Sequence, residues 1–476
     1  MDNGLLRLSS APGRWVLLTT VLGSGMAMLD GTVVNVALPA LGSALKADMA
    51  GLQWTVNAYT LTLAGLILLG GSLGDRYGRR RIFLVGVVWF AAASALCGAA
   101  PNVETLIAAR ALQGVGGALL TPGSLAIIQA SFAREDRPKA IGAWSGLGGV
   151  TAAIGPLLGG WLVETAGWRW VFLINLPMAA LVVAVAVRHV PESRDTEATG
   201  RFDVLGAALA ALALAGITYG LIGLNAVPLL AGVLLGAAFV WLEIKRSPGA
   251  LVPVGIFSSK VFTAVNVVTF VMYAAMGVVF FLLVVQLQVS ARFSPVLAGS
   301  AMIPVTILML LLSAPAGELA KRIGPRIPMT AGILVCSGAL LLMSRIGAGS
   351  AYVTDVLLPS ALFGLGLSGA VAPLTATVLA SADERYAGVA SGVNNAVART
   401  GGLLAVAAIP PLAGLTGDAF GSPSVFTAGF HTTMLVAAAM MGVAALISFL
   451  TLRENVLADS HPQPSCPVGA PQLGRR

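Results

Sequence analysis

Runs of about 20 mostly apolar residues recur along almost the whole of this 476-residue chain. Each is long enough to cross the hydrocarbon core of a bilayer as a helix, which takes about 20 residues. In lipid, backbone N–H and C=O groups must find partners inside the protein, so separate runs of this length become helices. Fourteen runs can be read, near 15–38, 53–74, 82–100, 104–126, 140–163, 170–188, 204–223, 227–244, 262–288, 296–316, 327–346, 353–378, 386–411 and 431–452. Charged residues make up only 10% of the chain, where a soluble domain carries about 25%. So few cannot cover a water-facing surface, and disorder needs the opposite composition, low hydrophobicity with high charge. The sequence therefore predicts an all-α polytopic membrane protein with fourteen transmembrane helices.

Lysine and arginine collect in the cytoplasmic loops of membrane proteins. With the N-terminus placed in the cytoplasm, 22 of the 28 Lys and Arg residues fall on that side. Lys46, Arg169, Arg292 and Arg345 fall outside, while Arg110 and Arg399 fall inside spans. One span more or fewer would scramble this bias, so an even count with both termini cytoplasmic is expected. Trp15, Trp54, Trp161, Trp168 and Trp170 lie near span ends, where aromatic anchors belong. The net charge of +8 then reflects topology, and no nucleic-acid partner is expected. The first run lacks a small-residue cleavage site and leads straight into a second, so a multi-pass protein of the cell membrane without a cleaved signal peptide is expected. Three cysteines, Cys97, Cys336 and Cys466, cannot build a disulfide framework.

The chain repeats internally. Gly71, Leu73, Arg76, Gly78 and Arg80 recur 246 positions later as Gly317, Leu319, Arg322, Gly324 and Arg326. The same offset relates Gly142, Gly146 and Gly155 to Gly388, Gly392 and Gly401. The expected organisation is a cytoplasmic N-terminus (1–14), a six-helix bundle (15–190), a linker with two extra helices (191–260), a second, pseudo-symmetric six-helix bundle (261–452) and a disordered cytoplasmic tail (453–476). Repeated halves place a transported substrate near the bilayer midplane between them, with alternating access by rocking.

Several segments resemble one family. Gly71–Arg81, G-S-L-G-D-R-Y-G-R-R-R, resembles the loop between the second and third helices of the major facilitator superfamily. The segment from Leu29 to Pro39, with Asp30 and Asn35, resembles the first-helix signature of its fourteen-span drug:proton antiporters. Arg110 to Gly117 resembles the fourth-helix motif, Gly155-Pro156 with Gly159 and Gly160 the fifth-helix antiporter motif, and Trp168 to Pro177 the entry to helix six. The antiporter pattern departs at Thr151, where the family carries a glycine. The resemblance implies a proton-coupled antiporter that exports drugs, antibiotics or similar amphipathic small molecules. The alternative is a proton-coupled uptake symporter of the same fold. No Walker-type phosphate loop is present, so the proton gradient is the expected drive, with no enzyme activity, cofactor or metal. A monomer surrounded by lipid is expected.

Asp30 is the one acid deep within a span, and an intramembrane charge costs at least about 2.5–3.5 kcal/mol. Arg110 lies at similar depth, and the resemblance makes helices one and four neighbours. The two are expected to form the proton switch. Gly71, Gly74 and Gly78 are expected to let backbones approach, while Asp75, Arg76, Arg79 and Arg80 latch the cytoplasmic ends. Gly155, Pro156, Gly159 and Gly160 are expected to bend and pack helix five, and Gly142 and Gly146 to add close contact. Candidate cavity residues are Asn35, Gln113, Asn266, Tyr273, Asn395 and Arg399, where Arg399 could instead anchor backbone carbonyls. A stripe of Asn266, Phe270, Tyr273 and Gly277 suits packing as well as a pocket.

Overall fold

The computed structural model describes residues 5–194, 203–246, 254–381 and 387–452. The expected tail 453–476 and parts of the expected linker lie outside them. The helices are α1 (Ala11–Leu45), α2 (Met49–Tyr77), α3 (Arg79–Ala99), α4 (Val103–Ser131), α5 (Arg137–Thr165), α6 (Trp170–Leu173), α7 (Asn175–His189), α8 (Val204–Ile222) and α9 (Ala226–Arg246). They continue as α10 (Lys260–Val289), α11 (Pro295–Ser300), α12 (Ile303–Ile323), α13 (Arg326–Met343), α14 (Leu358–Ala380), α15 (Ala387–Leu412) and α16 (Pro423–Thr451). Twelve helical stretches among the described residues are long and apolar enough to cross a membrane, thirteen when α2, bent by 50° after Ile67, counts as one. The remaining long helix, α15, has 26 residues and carries Asn394, Asn395 and Arg399.

Every apolar run falls on helix, but the helices outrun the lipid. α1 has 35 residues, about 52 Å at 1.5 Å per residue, against a hydrocarbon core of about 30 Å. Side-chain oxygens finish several starts: Ser10 accepts from Gly13 N, Asp48 from Gly51 N and Asn102 from Thr105 N. The expected loop Gly71–Arg81 is instead almost wholly helical. α2 runs to Tyr77 and α3 starts at Arg79, leaving the turn to Gly78 at φ +111°. Arg and Asp end an apolar run without ending a helix, because their helix propensity is ordinary. The last helix begins at Pro423, eight residues before the expected 431.

Within the first group, α1 packs on α5 and α7, α4 on α2 and α3, and α3 on α7. Within the second, α10 packs on α15 and α16, α14 on α12 and α13, and α13 on α16. The α8–α9 hairpin stands outside both: α8 lies against α2 and α15, and α9 packs mainly on α8. Of its side, α9 buries Gly232 and Glu243 while Val227, Leu230, Leu234 and Trp241 are exposed, an apolar face suited to lipid.

The groups meet at the end remote from Gly78. Gln53 Nε2 donates to Val406 O at 2.6 Å and Gln288 Nε2 to Val36 O at 2.9 Å. α5 presses on α11 so closely that a Cβ on Gly160 would stand 2.4 Å from Pro295 O, and one on Gly299 2.1 Å from Pro156 O. At the Gly78 end the groups are apart, and a Cβ on Gly142 or Gly146 would meet nothing within 4 Å. The expected close contact at that pair is absent, because the gap between α5 and α12 opens there.

Candidate functional site

Asp30 and Arg110 meet inside the first group, both 1% exposed. α4 can lie against α2 because Gly114 has no side chain: a Cβ there would stand 2.4 Å from Tyr59 O. Arg110, one turn earlier, thereby reaches Thr55 O with Nε at 3.0 Å. Its Nη1 donates to Asp30 Oδ2 at 2.5 Å and to Gln113 Oε1 at 2.7 Å. Gln113 Nε2 donates to Asp30 Oδ1 at 2.8 Å, and Asn175 Nδ2 to the same oxygen at 3.1 Å. Both amides also donate to Ser94 Oγ, which donates to Phe172 O at 2.8 Å. The guanidinium lies 4.4 Å from the Tyr59 ring centroid, within range of a cation–π contact. Removing both charges from water is costly unless the pair is close and its remaining hydrogen-bonding groups are met. Here Asp30 accepts from three side chains, and Asn175 Oδ1 is left without a partner.

Sequence reasoning missed Ser94 and gave Asn175, part of the Trp168–Pro177 segment, no role at the site. Asn175 opens α7 after the break at Ile174. Pro177 lacks the N–H that would bond Leu173 O, which lets the chain turn there and present the amide to α1. Gln113, expected in the cavity wall, is 0% exposed and belongs to the buried cluster.

Two cavities adjoin this cluster. The smaller, about 230 Å³, is lined by Ser24, Asn35, Tyr59, Thr60, Arg110, Thr121 and Arg399 among others. The larger, about 590 Å³, lies between α5, α10 and α12, with Met276, Phe280, Met302 and Met309 among its walls. Gly31, Thr32 and Asn35 line both. Asn35 Oδ1 and Thr121 Oγ1 are buried without a partner. Arg399 Nε donates to Asn395 Oδ1 at 2.9 Å. Asn266 and Tyr273 are not among the residues lining either cavity. Asn266 accepts from Asn394 at 3.1 Å in the α10–α15 interface, and a Cβ on Gly277 would stand 2.7 Å from Gly402 Cα. The stripe on α10 is a helix-packing face.

At the Gly78 turn, Asp75 pairs with Arg79 at 2.8 Å. Glu192, unnoticed in the sequence, caps α3 by accepting from Arg80 N at 3.1 Å and Arg81 N at 3.2 Å. Arg80 Nη1 also donates to Val190 O. These partners all belong to the first group. The expected close backbone approach is at Gly70, where a Cβ would stand 2.0 Å from Ala118 O; at Gly71 and Gly74 a Cβ would find ordinary spacing. In the fifth-helix motif a Cβ on Gly155 would stand 2.0 Å from Thr32 Oγ1, and one on Gly159 3.0 Å from Val33 O. Thr151 sits where α1 supplies Gly25, so the small residue stands on the facing helix.

This geometry, two helix groups joined at one end and a buried ion pair beside a central cavity, defines a solute transporter. Residues 20–406 match the model of the Major Facilitator Superfamily, and the chain belongs to that family. The tetracenomycin C resistance and export protein of Streptomyces glaucescens is 35% identical over 85% of this chain and 77% of its own length. The puromycin resistance protein of Streptomyces alboniger is 34% identical over 96% of this chain and 94% of its own. Among solved structures, a bacterial homologue of the human lysosomal transporter Spinster, inward-facing and unoccupied, superposes with a TM-score of 0.66 at 15% identity, covering 96% of this chain and all of that one. The POT family transporter PepTSo gives 0.68 at 17% identity, covering 92% and 97%. At such identity both show the fold alone.

Proposed function

We propose that this chain is a proton-driven exporter of drug-like or antibiotic small molecules in the cell membrane. It works as a monomer by alternating access, without cofactor or metal. The relatives named for antibiotic resistance and export support the substrate class. The observation that carries the coupling is the buried Asp30–Arg110 pair, because Arg110 also lines the cavity. Ionised Asp30 neutralises Arg110. A proton on Asp30 discharges the carboxyl, leaves the guanidinium's charge facing the cavity, and shifts which conformation is favoured. The unpartnered Asn175 Oδ1 is then an acceptor for the new O–H if the amide turns.

In this reading α2 and α15 each make a full span, giving fourteen: two pseudo-symmetric halves of six, as the matching packing patterns support, and the α8–α9 pair between them. The basic loops place both termini, and the Gly78 turn, in the cytoplasm. The conformation described is then inward-facing, closed outside by Gly160 and Gly299. In the outward-facing state Asp75, Arg76, Arg79 and Arg80 would bond across the cytoplasmic ends. Gly155, Pro156, Gly159 and Gly160 hold α5 tight against proton leakage.

The test uses everted membrane vesicles given tetracenomycin C from outside. An acid interior should drive accumulation, and a protonophore should abolish it. Asp30→Asn should still bind ligand but lose accumulation; undiminished accumulation by that variant would overturn the coupling.

A further inference from the structure

Arg399 gives the cavity a charge that nothing else in the described structure answers. Two cations line the smaller cavity, Arg110 and Arg399. Arg110 is matched by Asp30, which lies behind it and is itself absent from the lining. Arg399 has no acidic partner among the described residues, only the neutral Asn395 oxygen. No Asp or Glu lines either cavity. A guanidinium offers five N–H donors in a planar fork, and one Nε bond leaves the rest of the fork for a carboxylate. Thr121, in the same lining, has a hydroxyl without a partner that can donate to an anion. Next door, sharing Gly31, Thr32 and Asn35 in its lining, is the larger cavity walled by methionine and phenylalanine, adaptable apolar surface fit for a ring system.

We propose that the two cavities together form a binding site for amphipathic organic anions, with the carboxylate or phenolate on Arg399 and the apolar body in the methionine-lined cavity between α10 and α12. This deepens the export reading by naming its substrate class, and it uses two observations that reading does not need: the unanswered charge of Arg399 and the three residues that line both cavities. A cationic amphiphile would set its charge against Arg399 in a low-dielectric site, so the site discriminates by repulsion as well as attraction.

Three probes with one ring system separate charge from shape: anthraquinone-2-carboxylate, its methyl ester and 2-(aminomethyl)anthraquinone. Binding to the purified full chain in nanodiscs is read by displacement and by tryptophan quenching. The acid should bind about tenfold or more tighter than the ester, as a charge-assisted pair implies, and the amine weakest. In Arg399→Gln the acid-to-ester ratio should fall to about one, while Arg399→Lys keeps an intermediate preference. Thermal unfolding checks that both variants fold. Equal binding of acid and ester, preference for the amine, no binding of the acid, or an unchanged ratio in Arg399→Gln would each overturn the proposal. Transport is read separately. Acid that binds but does not accumulate under a pH gradient counts against the export reading and leaves the anion site standing. Gradient-driven accumulation of the amine or ester alone does the reverse.

Discussion

Asn175 donates to Asp30 across 3.1 Å, although 145 positions separate them in the chain. The amide joins Gln113 on one carboxylate oxygen and leaves the other to Arg110. A neutral donor is therefore part of the ion pair's environment, and its replacement tells whether Asp30 must be free to lose and regain its charge.

Asn175→Asp would set a second carboxyl at the same oxygen. Two carboxylates sharing a buried site cannot both ionise readily, so one must hold a proton or the cluster must open. Gradient-driven accumulation in vesicles should fall at least about tenfold at neutral pH, since one tenfold step is only about 1.4 kcal/mol. Asn175→Ser, which keeps a small donor, should retain most activity. Equal losses in both variants would point to packing rather than charge.

Arg110→Gln removes the partner of a buried charge, which costs about 3–5 kcal/mol when the counter-ion stays behind. Thermal unfolding in detergent should show it strongly destabilised. Adding Asp30→Asn should recover most of that loss, because no buried charge is then left alone, while accumulation stays absent. A double mutant no more stable than Arg110→Gln would deny the coupling between the two residues.

The parts of this cluster differed in how visible they were. Asp30 and Arg110 stand out because charges are rare in runs that must sit in lipid. Ser94 and Asn175 do not, since small polar residues in apolar runs are common and only the placement of α3 and α7 brings these two to Asp30. The order of the helices followed from apolar run length, which bilayer thickness sets. Helix ends did not, because helices continue beyond the lipid as far as propensity and capping allow, as at Tyr77 and Pro423. Glycine spacing marked α5 as a packing helix but could not tell Gly155, against Thr32, from Gly146, which faces a gap. For Asn266 and Tyr273 the periodicity was right and the partner unknowable: their stripe faces α15.

Gly78 holds a backbone conformation that side chains rarely adopt, and a Cβ there would stand 2.8 Å from the Glu192 carboxylate that caps α3. Gly78→Ala should destabilise by about 1–3 kcal/mol, seen as a lowered unfolding temperature. Gly71→Ala and Gly74→Ala, where a Cβ finds ordinary spacing, should unfold close to the parent. A parent-like Gly78→Ala would show that the turn adapts freely.

The two ends of α5 should respond oppositely to added methyl groups. A Cβ on Gly299 would overlap Pro156 O at 2.1 Å, and backbone cannot yield as a flexible side chain can, so Gly299→Ala must push α11 off α5. Because this contact joins the two groups at the closed end, the expected result is a leak: a pH gradient imposed on proteoliposomes should decay faster than with the parent, in the absence of any substrate. Gly146→Ala adds its methyl to open space in this conformation and should leave both stability and proton tightness unchanged. It should nevertheless slow turnover, since α5 and α12 have to approach at that level for the Gly78 end to close. Normal tightness in a folded Gly299→Ala would mean that the seal lies elsewhere, and leakage in Gly146→Ala would show that the open end also takes part in it.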